Sequence, residues 1–210
     1  MAYREARPFL YVLVIAAALA WLASPWWSVP FWLAAGYVLY FFRDPERTIS
    51  SDELDIVSPA DGKVISVVEE EERWFSKEKR VRVAIFLSVF DVHVNRAPVA
   101  GRIAAVVYER GRFLDARDPA VDVQNEHRTW LIESRRGPVV MRQIAGLIAR
   151  RIVAWAEMGD EVSKGERVGM IRFGSRTDLY LPLGCEVLVK AGERVKGGST
   201  VVARWKAGGP

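Results

Sequence analysis

The chain has 210 residues, with 30 Lys and Arg against 26 Asp and Glu, one cysteine and two histidines. That length holds one good-sized domain or two small ones, and a composition half hydrophobic yet 27% charged is that of neither a disordered chain nor a polytopic membrane protein. The formal net charge of +4 is too small and too scattered for a nucleic-acid-binding stripe, a single cysteine excludes an internal disulfide framework, and the histidines and cysteine are too few for an ordinary zinc site.

In chain order, the first feature is a run of 35 uncharged residues from Pro8 to Phe42. Proline lacks the amide donor and clashes with the preceding helical turn. Pro25 and Pro30 therefore divide the run into two predicted helices, residues 9–23 and 29–42. Each is about 15 residues, or about 22 Å as helix. A full crossing of the bilayer core wants about 20 residues, so the pair fits a hairpin that dips into a membrane from one side. Arg4 and Arg7 precede the hairpin, and Arg43 and Arg47 follow it. Cationic flanks stay cytoplasmic, which points to the cytoplasmic face of a cell membrane with monotopic or peripheral attachment. Trp21, Trp26, Trp27, Trp32, Tyr37 and Tyr40 are the amphipathic aromatics that favour the headgroup layer. Two other readings stand beside this one: a cleaved signal peptide ending near Ala18-Leu19-Ala20, and a buried helical hairpin.

Beyond Phe42 the texture changes to short β-rich runs punctuated by glycine, at residues 62–68, 81–89, 101–108, 129–133, 139–143, 168–173, 185–190 and 200–204. Partial alternation, as in Val64/Ser66/Val68, suits sheets with one buried face. Residues 144–156 are apolar enough for a helix, but Gly146 and the β-branched residues leave that open. Glu69 to Glu72 read as a solvated loop between strands. Near the C-terminus, Gly159, Val162, Gly165 and Val168 recur in phase as Gly192, Val195, Gly198 and Val201 at an offset of 33. The repeat resembles the barrel-sandwich of lipoyl and biotinyl carrier domains, although the Met-Lys dipeptide that bears the prosthetic group there is absent. The expected fold is mainly β: a β-sandwich with a lipoyl- or biotinyl-like barrel-sandwich portion, preceded by an apolar helical hairpin. The expected division is residues 1–42 as the membrane-associating hairpin and 43–210 as the β-rich domain.

A set of motifs runs through the chain in order. They are Arg43-Asp44-Pro45 after Phe41-Phe42, Ser58-Pro59-Ala60-Asp61-Gly62, Asp91-Val92-His93-Val94-Asn95-Arg96-Ala97-Pro98, Asn125-Glu126, Gln143-Ile144-Ala145-Gly146, Gly169-Met170-Ile171 and Arg172-Phe173-Gly174-Ser175-Arg176. A Gly-Ser pair alone is an ordinary turn. In this company the chain closely resembles the short form of the phosphatidylserine decarboxylases, from Phe41 to about Pro182. The resemblance implies self-cleavage between Gly174 and Ser175, giving a large subunit of residues 1–174 and a small one of 175–210. Ser175 becomes a covalent pyruvoyl cofactor, with no metal. The ketone condenses with the serine head group's amine as a Schiff base, and phosphatidylserine loses CO2 to become phosphatidylethanolamine in phospholipid biosynthesis.

The resemblance also implies roles for other residues. Asp61 is tied to self-cleavage and His93 to decarboxylation; an unperturbed imidazole both accepts and donates a proton near neutrality. Longer family members carry a second histidine where this chain has Arg96, and a guanidinium is no base at ordinary pH. Either His93 covers both steps or Asp61 activates Ser175 more directly, while Arg96 becomes a candidate ligand for a substrate carboxylate or phosphate. His127 and Cys185 read as structural. The implied partners are a membrane phospholipid substrate, the bilayer and the two subunits of one precursor, with room for a homo-oligomer and none for nucleic acid. Two alternatives remain: a decarboxylase of another serine phospholipid of the archaetidylserine type, and a non-catalytic membrane-anchored adaptor with a lipoyl-like domain.

Overall fold

The computed structural model describes residues 2–115, 124–147, 151–172 and 174–206. It divides into two compact units, Met1–Pro45 and Glu46–Pro210.

The first unit is a helical hairpin of α1 (Ala2–Ala23) and α2 (Pro25–Phe41), joined at Ser24. Both helices start earlier than the prolines predicted. α1 takes in the favourable helix formers before Pro8 and has 22 residues, about 33 Å of helix. By length and composition it is apolar enough to cross a membrane, which corrects the expectation that each arm is too short. α2 begins at Pro25 because a proline at the first helical position gives up only an amide without an intrahelical partner. Ser24, extended at φ −166° and ψ 140°, is its N-cap, and Pro30 lies inside the helix. Trp21, Trp26, Trp27, Trp32, Tyr37 and Tyr40 are all exposed.

The second unit is mainly β, as expected. Its largest sheet has eight strands: β2 (Gly62–Glu71), β3 (Lys79–Leu87), β5 (Gly101–Glu109), β6 (His127–Ser134), β7 (Gly137–Ala145), β9 (Glu161–Val162), β11 (Ser175–Pro182) and β13 (Arg194–Val195). Their spatial order is β13-β2-β3-β11-β7-β6-β5-β9. Among the described residues, two three-stranded sheets accompany it. One has the order β4-β10-β8, from Val94–Arg96, Arg167–Ile171 and Ile152–Ala154. The other is β1-β14-β12, from Asp55–Val57, Val201–Trp205 and Cys185–Val187. The core lies on the face shared by Val83, Ile85 and Leu87 of β3, Leu179 and Leu181 of β11, Val139 and Met141 of β7, and Trp130 and Ile132 of β6. These positions alternate along each strand, as burial of one face requires.

Each of the eight expected runs falls on a strand; Phe173, at the end of one, lies outside the described residues. Three readings change. Glu69 to Glu71 extend β2, and Glu72 is fully buried. Around residues 144–156, β7 ends at Ala145 and β8 occupies Ile152–Ala154, with 148–150 outside the described residues. β11 was not foreseen as a strand at all.

The internal repeat is geometric as well as sequential. Gly159 and Gly192 share φ +99°, and Gly165 and Gly198 lie at +79° and +78°. β9 pairs with β5 at Gly101 and Arg102, as β13 pairs with β2 at Gly62 and Lys63. The partners are themselves repeated at an offset of 39, Ser58-Pro59-Ala60-Asp61-Gly62 against Ala97-Pro98-Val99-Ala100-Gly101. A Cβ on either Gly62 or Gly101 would stand 2.2 Å from a carbonyl oxygen of the neighbouring strand, so both halves need glycine there. The halves diverge where chemistry is expected: Asp61 stands where the other half has Ala100.

Candidate active site

Ser175 is the first residue of β11, opposite Leu87 of β3 and Ala145 of β7. It is fully buried, and among the described residues its hydroxyl has no hydrogen-bond partner. Immediately before it, Gly174 takes φ +63°, a left-handed conformation that side chains resist. The Gly174 amide donates to His93 Nε2 at 3.2 Å. His93, also fully buried, sets Nδ1 2.9 Å from the Asp91 carbonyl oxygen. A carbonyl only accepts, so the ring proton belongs on Nδ1 and the Nε2 lone pair faces the Gly174–Ser175 segment. Asp91 is itself fixed by the Ser88 amide (2.8 Å) and hydroxyl (2.7 Å) and by Arg194 (3.0 Å).

Beside this pair a buried polar network joins the sheets. Asn95 of β4 donates through Nδ2 to Thr177 Oγ1 at 3.0 Å and to the Pro59 carbonyl at 3.3 Å, and its Oδ1 accepts from Gln143 Nε2 at 2.6 Å. Thr177 is two residues along β11 from Ser175 and faces Gln143 of β7. The motif reading passed through Asn95 and Gln143 without giving either a task. The available signal was a polar residue inside an otherwise apolar β run.

Asp61 lies just ahead of β2. Arg47 Nη2 donates to both carboxylate oxygens, at 2.9 and 2.8 Å, and the Gly197 amide donates to Oδ1 at 2.8 Å. Arg47, read from the sequence only as a cationic flank of the hairpin, is thus the partner of Asp61. Arg96 lies on the opposite side of β4 from Asn95. Its Nη1 donates to the Gly165 carbonyl at 3.0 Å, and its Cδ would be 2.9 Å from a Cβ on Gly198. The structure therefore brings His93, Gly174 and Ser175 together, and gathers Asp61, Arg47 and Arg96 around the repeated glycine turns. His127 is buried on the outer face of the large sheet, and burial pushes the Cys185 thiol up to about 11. A cleft of about 640 Å³ between Arg102, Glu133, Arg136, Lys164 and Trp205 contains none of these residues. Among the described residues no three His, Cys, Asp or Glu side chains are grouped to hold a metal ion.

Among the described residues, then, a buried serine hydroxyl without a hydrogen-bond partner stands beside a left-handed glycine and an imidazole lone pair. The family profile described as phosphatidylserine decarboxylase matches residues 35–203, and the chain belongs to that family. It is 45% identical over 205 residues to the phosphatidylserine decarboxylase proenzyme of Carboxydothermus hydrogenoformans, covering 97% of this chain and 96% of the relative. Against the proenzyme of the same name from Symbiobacterium thermophilum the identity is 47% over 204 residues, covering 96% and 94%.

Proposed function

We propose that the chain is a self-processing decarboxylase that converts phosphatidylserine to phosphatidylethanolamine. The observation that carries this reading is the buried, unpartnered Ser175 hydroxyl next to Gly174, whose own amide rests on His93. Ser175 Oγ attacks the Gly174 carbonyl carbon, and the Ser175 amide nitrogen departs as an amine, leaving an ester. His93 Nε2 is the nearby base to take the hydroxyl proton. Loss of the Ser175 Cα proton then breaks the Cβ–O bond and frees Gly174 as a carboxylate terminus. Water hydrolyses the dehydroalanine left at position 175, releasing ammonia and leaving the ketone of a pyruvoyl group. The site fits that group: it arises from a hydroxyl already enclosed and free of competing bonds. Once formed, it supplies the electron sink for loss of CO2 from the lipid's amine-bearing carbon.

His93 then serves a second time, returning a proton to that carbon from a ring held in one tautomer by Asp91. Asp61 positions: with Arg47 it clamps the Gly197 turn, which belongs to the fragment that cleavage creates, against the rest of the domain. Arg96 steadies the Gly165 turn. The exposed aromatics of the hairpin support its attachment to the membrane that holds the substrate, and the arginines flanking it favour the cytoplasmic face.

Mass spectrometry of the purified protein, coupled to CO2 release from phosphatidylserine vesicles, tests this. Fragments ending at Gly174 and beginning at a modified residue 175 are expected, with Ser175→Ala remaining whole and inactive. His93→Ala is expected to cleave slowly and to lose turnover by about 100-fold or more. Full turnover by uncleaved Ser175→Ala would overturn the reading.

A further inference from the structure

The orientation of the buried amides near Ser175 is fixed by what each neighbour is able to do. The Pro59 carbonyl only accepts, so the end of the Asn95 amide facing it is Nδ2. Asn95 Oδ1 must then accept from Gln143, which turns Gln143 Nε2 toward it at 2.6 Å. Gly169, opposite Asn95 in β10, leaves the room: a Cβ there would come within 3.3 Å of Gln143 Nε2. The network thus leaves Gln143 Oε1 as a committed acceptor, on a fully buried side chain, with no donor among the described residues. Gln143 lies across from Thr177, and Ala145 across from Ser175, all on one face of the sheet. Gln143 and Ser175 are therefore diagonal cross-strand neighbours on that face, about 7–8 Å apart. Each carries a buried polar atom that has no partner among the described residues.

A carbonyl oxygen held in this way repels a carboxylate or phosphate and accepts only a donor. Of the groups on a serine phospholipid head, the amine is the donor, and it is also the group that must reach residue 175. We infer that Gln143 is a substrate-binding residue whose Oε1 accepts a hydrogen bond from the head-group amine and sets that nitrogen at residue 175. The inference rests on the decarboxylase reading for its ligand, while Asn95 and Pro59 set the direction of the amide.

The test compares two short-chain lipids of equal charge, neither of which forms a covalent bond with a ketone: phosphatidyl-N,N-dimethylethanolamine, which keeps one N–H, and phosphatidylcholine, which has none. Calorimetry with the mature wild-type protein should show about tenfold tighter binding of the dimethyl lipid. Gln143→Met, close in shape and without the amide, should cleave at Ser175 like the wild type. It should bind the two lipids equally and raise KM for phosphatidylserine by a similar factor. Equal affinities in the wild type overturn the inference even if the variant does not fold. It is also overturned if Gln143→Met keeps the wild-type discrimination, or folds but fails to cleave, which would put the amide in maturation instead. A wild-type chain that neither cleaves nor releases CO2 sinks the decarboxylase reading, and the calorimetric pair still judges Gln143 by itself.

Discussion

Both histidines hold Nδ1 2.9 Å from the carbonyl oxygen two residues earlier, His93 on Asp91 and His127 on Asn125, and their tasks separate at Nε2. That of His93 meets the Gly174 amide, whereas that of His127 lies 3.5 Å from the Glu109 carboxylate, with the ring against Trp74. Burial, and then the Arg142 charge, hold the His127 pKa below its usual 6.5. The unfolded chain then binds a proton on this residue that the folded chain refuses. Stability falls as pH drops below about 6.5 and levels off below the depressed folded value. Urea midpoints should show the wild type losing more stability than His127→Gln between pH 7.5 and 5.5; parallel losses would refute the assignment. Asp61→Asn keeps an acceptor for the Gly197 amide but strips Arg47 of its counter-charge. Melting should reveal a loss of about 3 kcal/mol together with slower cleavage. Ser175, Gly174 and His93 were legible because they sit in motifs. Asp61 was legible as an acid but not as the partner of Arg47, since a salt bridge across 14 residues has no sequence spacing of its own.

Strand β11 shows why an element escapes a periodicity reading. Its inward positions begin with Ser175 and Thr177, and its outward ones with Arg176 and Asp178, so neither face announces itself as apolar. The outward face is nonetheless covered. Arg176, Asp178, Tyr180, Arg82, Arg142, Thr129 and His127 are all buried, and the Arg142 guanidinium lies 3.9 Å from the Trp74 ring centroid. The Trp74 turn is fixed by the Glu72 carboxylate, which accepts the amides of Trp74 at 2.7 Å and of Ser76 at 2.7 Å. The acidic run that reads as a solvated loop thus ends in the anchor of a lid over a polar layer. Strands such as β3 alternate apolar and basic residues, and alternation marks two faces without saying that water covers the basic one. Within that layer Asp178 takes two 2.6 Å bonds from Arg176. Removing one member of a buried pair leaves an uncompensated charge. Asp178→Asn should lower stability by about 3–5 kcal/mol, read as a shift in the guanidinium midpoint, whereas replacing Asp178 and Arg176 together with apolar residues should cost less. A single variant as stable as the wild type would mean that the pair is not what holds this layer.

At the scale of the whole molecule, the proposed cut meets a chain whose two pieces are interleaved. Residues 175–210 supply β11, which pairs with β3 along Ser175 to Pro182 and with β7 along Ser175 to Tyr180. They also supply β13, on the edge of β2, and β14, between β1 and β12. Breaking the chain once at the head of β11 removes only the amide of residue 175 and leaves the rest of those ladders in place, along with the core contacts of Leu179, Leu181, Val195 and Val202. Forcing the small fragment out would expose a row of unpaired backbone groups on both β3 and β7, each costly to leave unsatisfied. The fragments should therefore co-elute from size exclusion as one particle and part only in denaturant. With residues 1–45 removed, the second unit retains every strand and every residue of the site. That truncated chain should still cleave and hold its fragments together, while its binding to phospholipid vesicles falls at least tenfold by sedimentation. Release of the 175–210 fragment under native conditions would contradict the strand order, and undiminished vesicle binding would move the membrane contact off the hairpin.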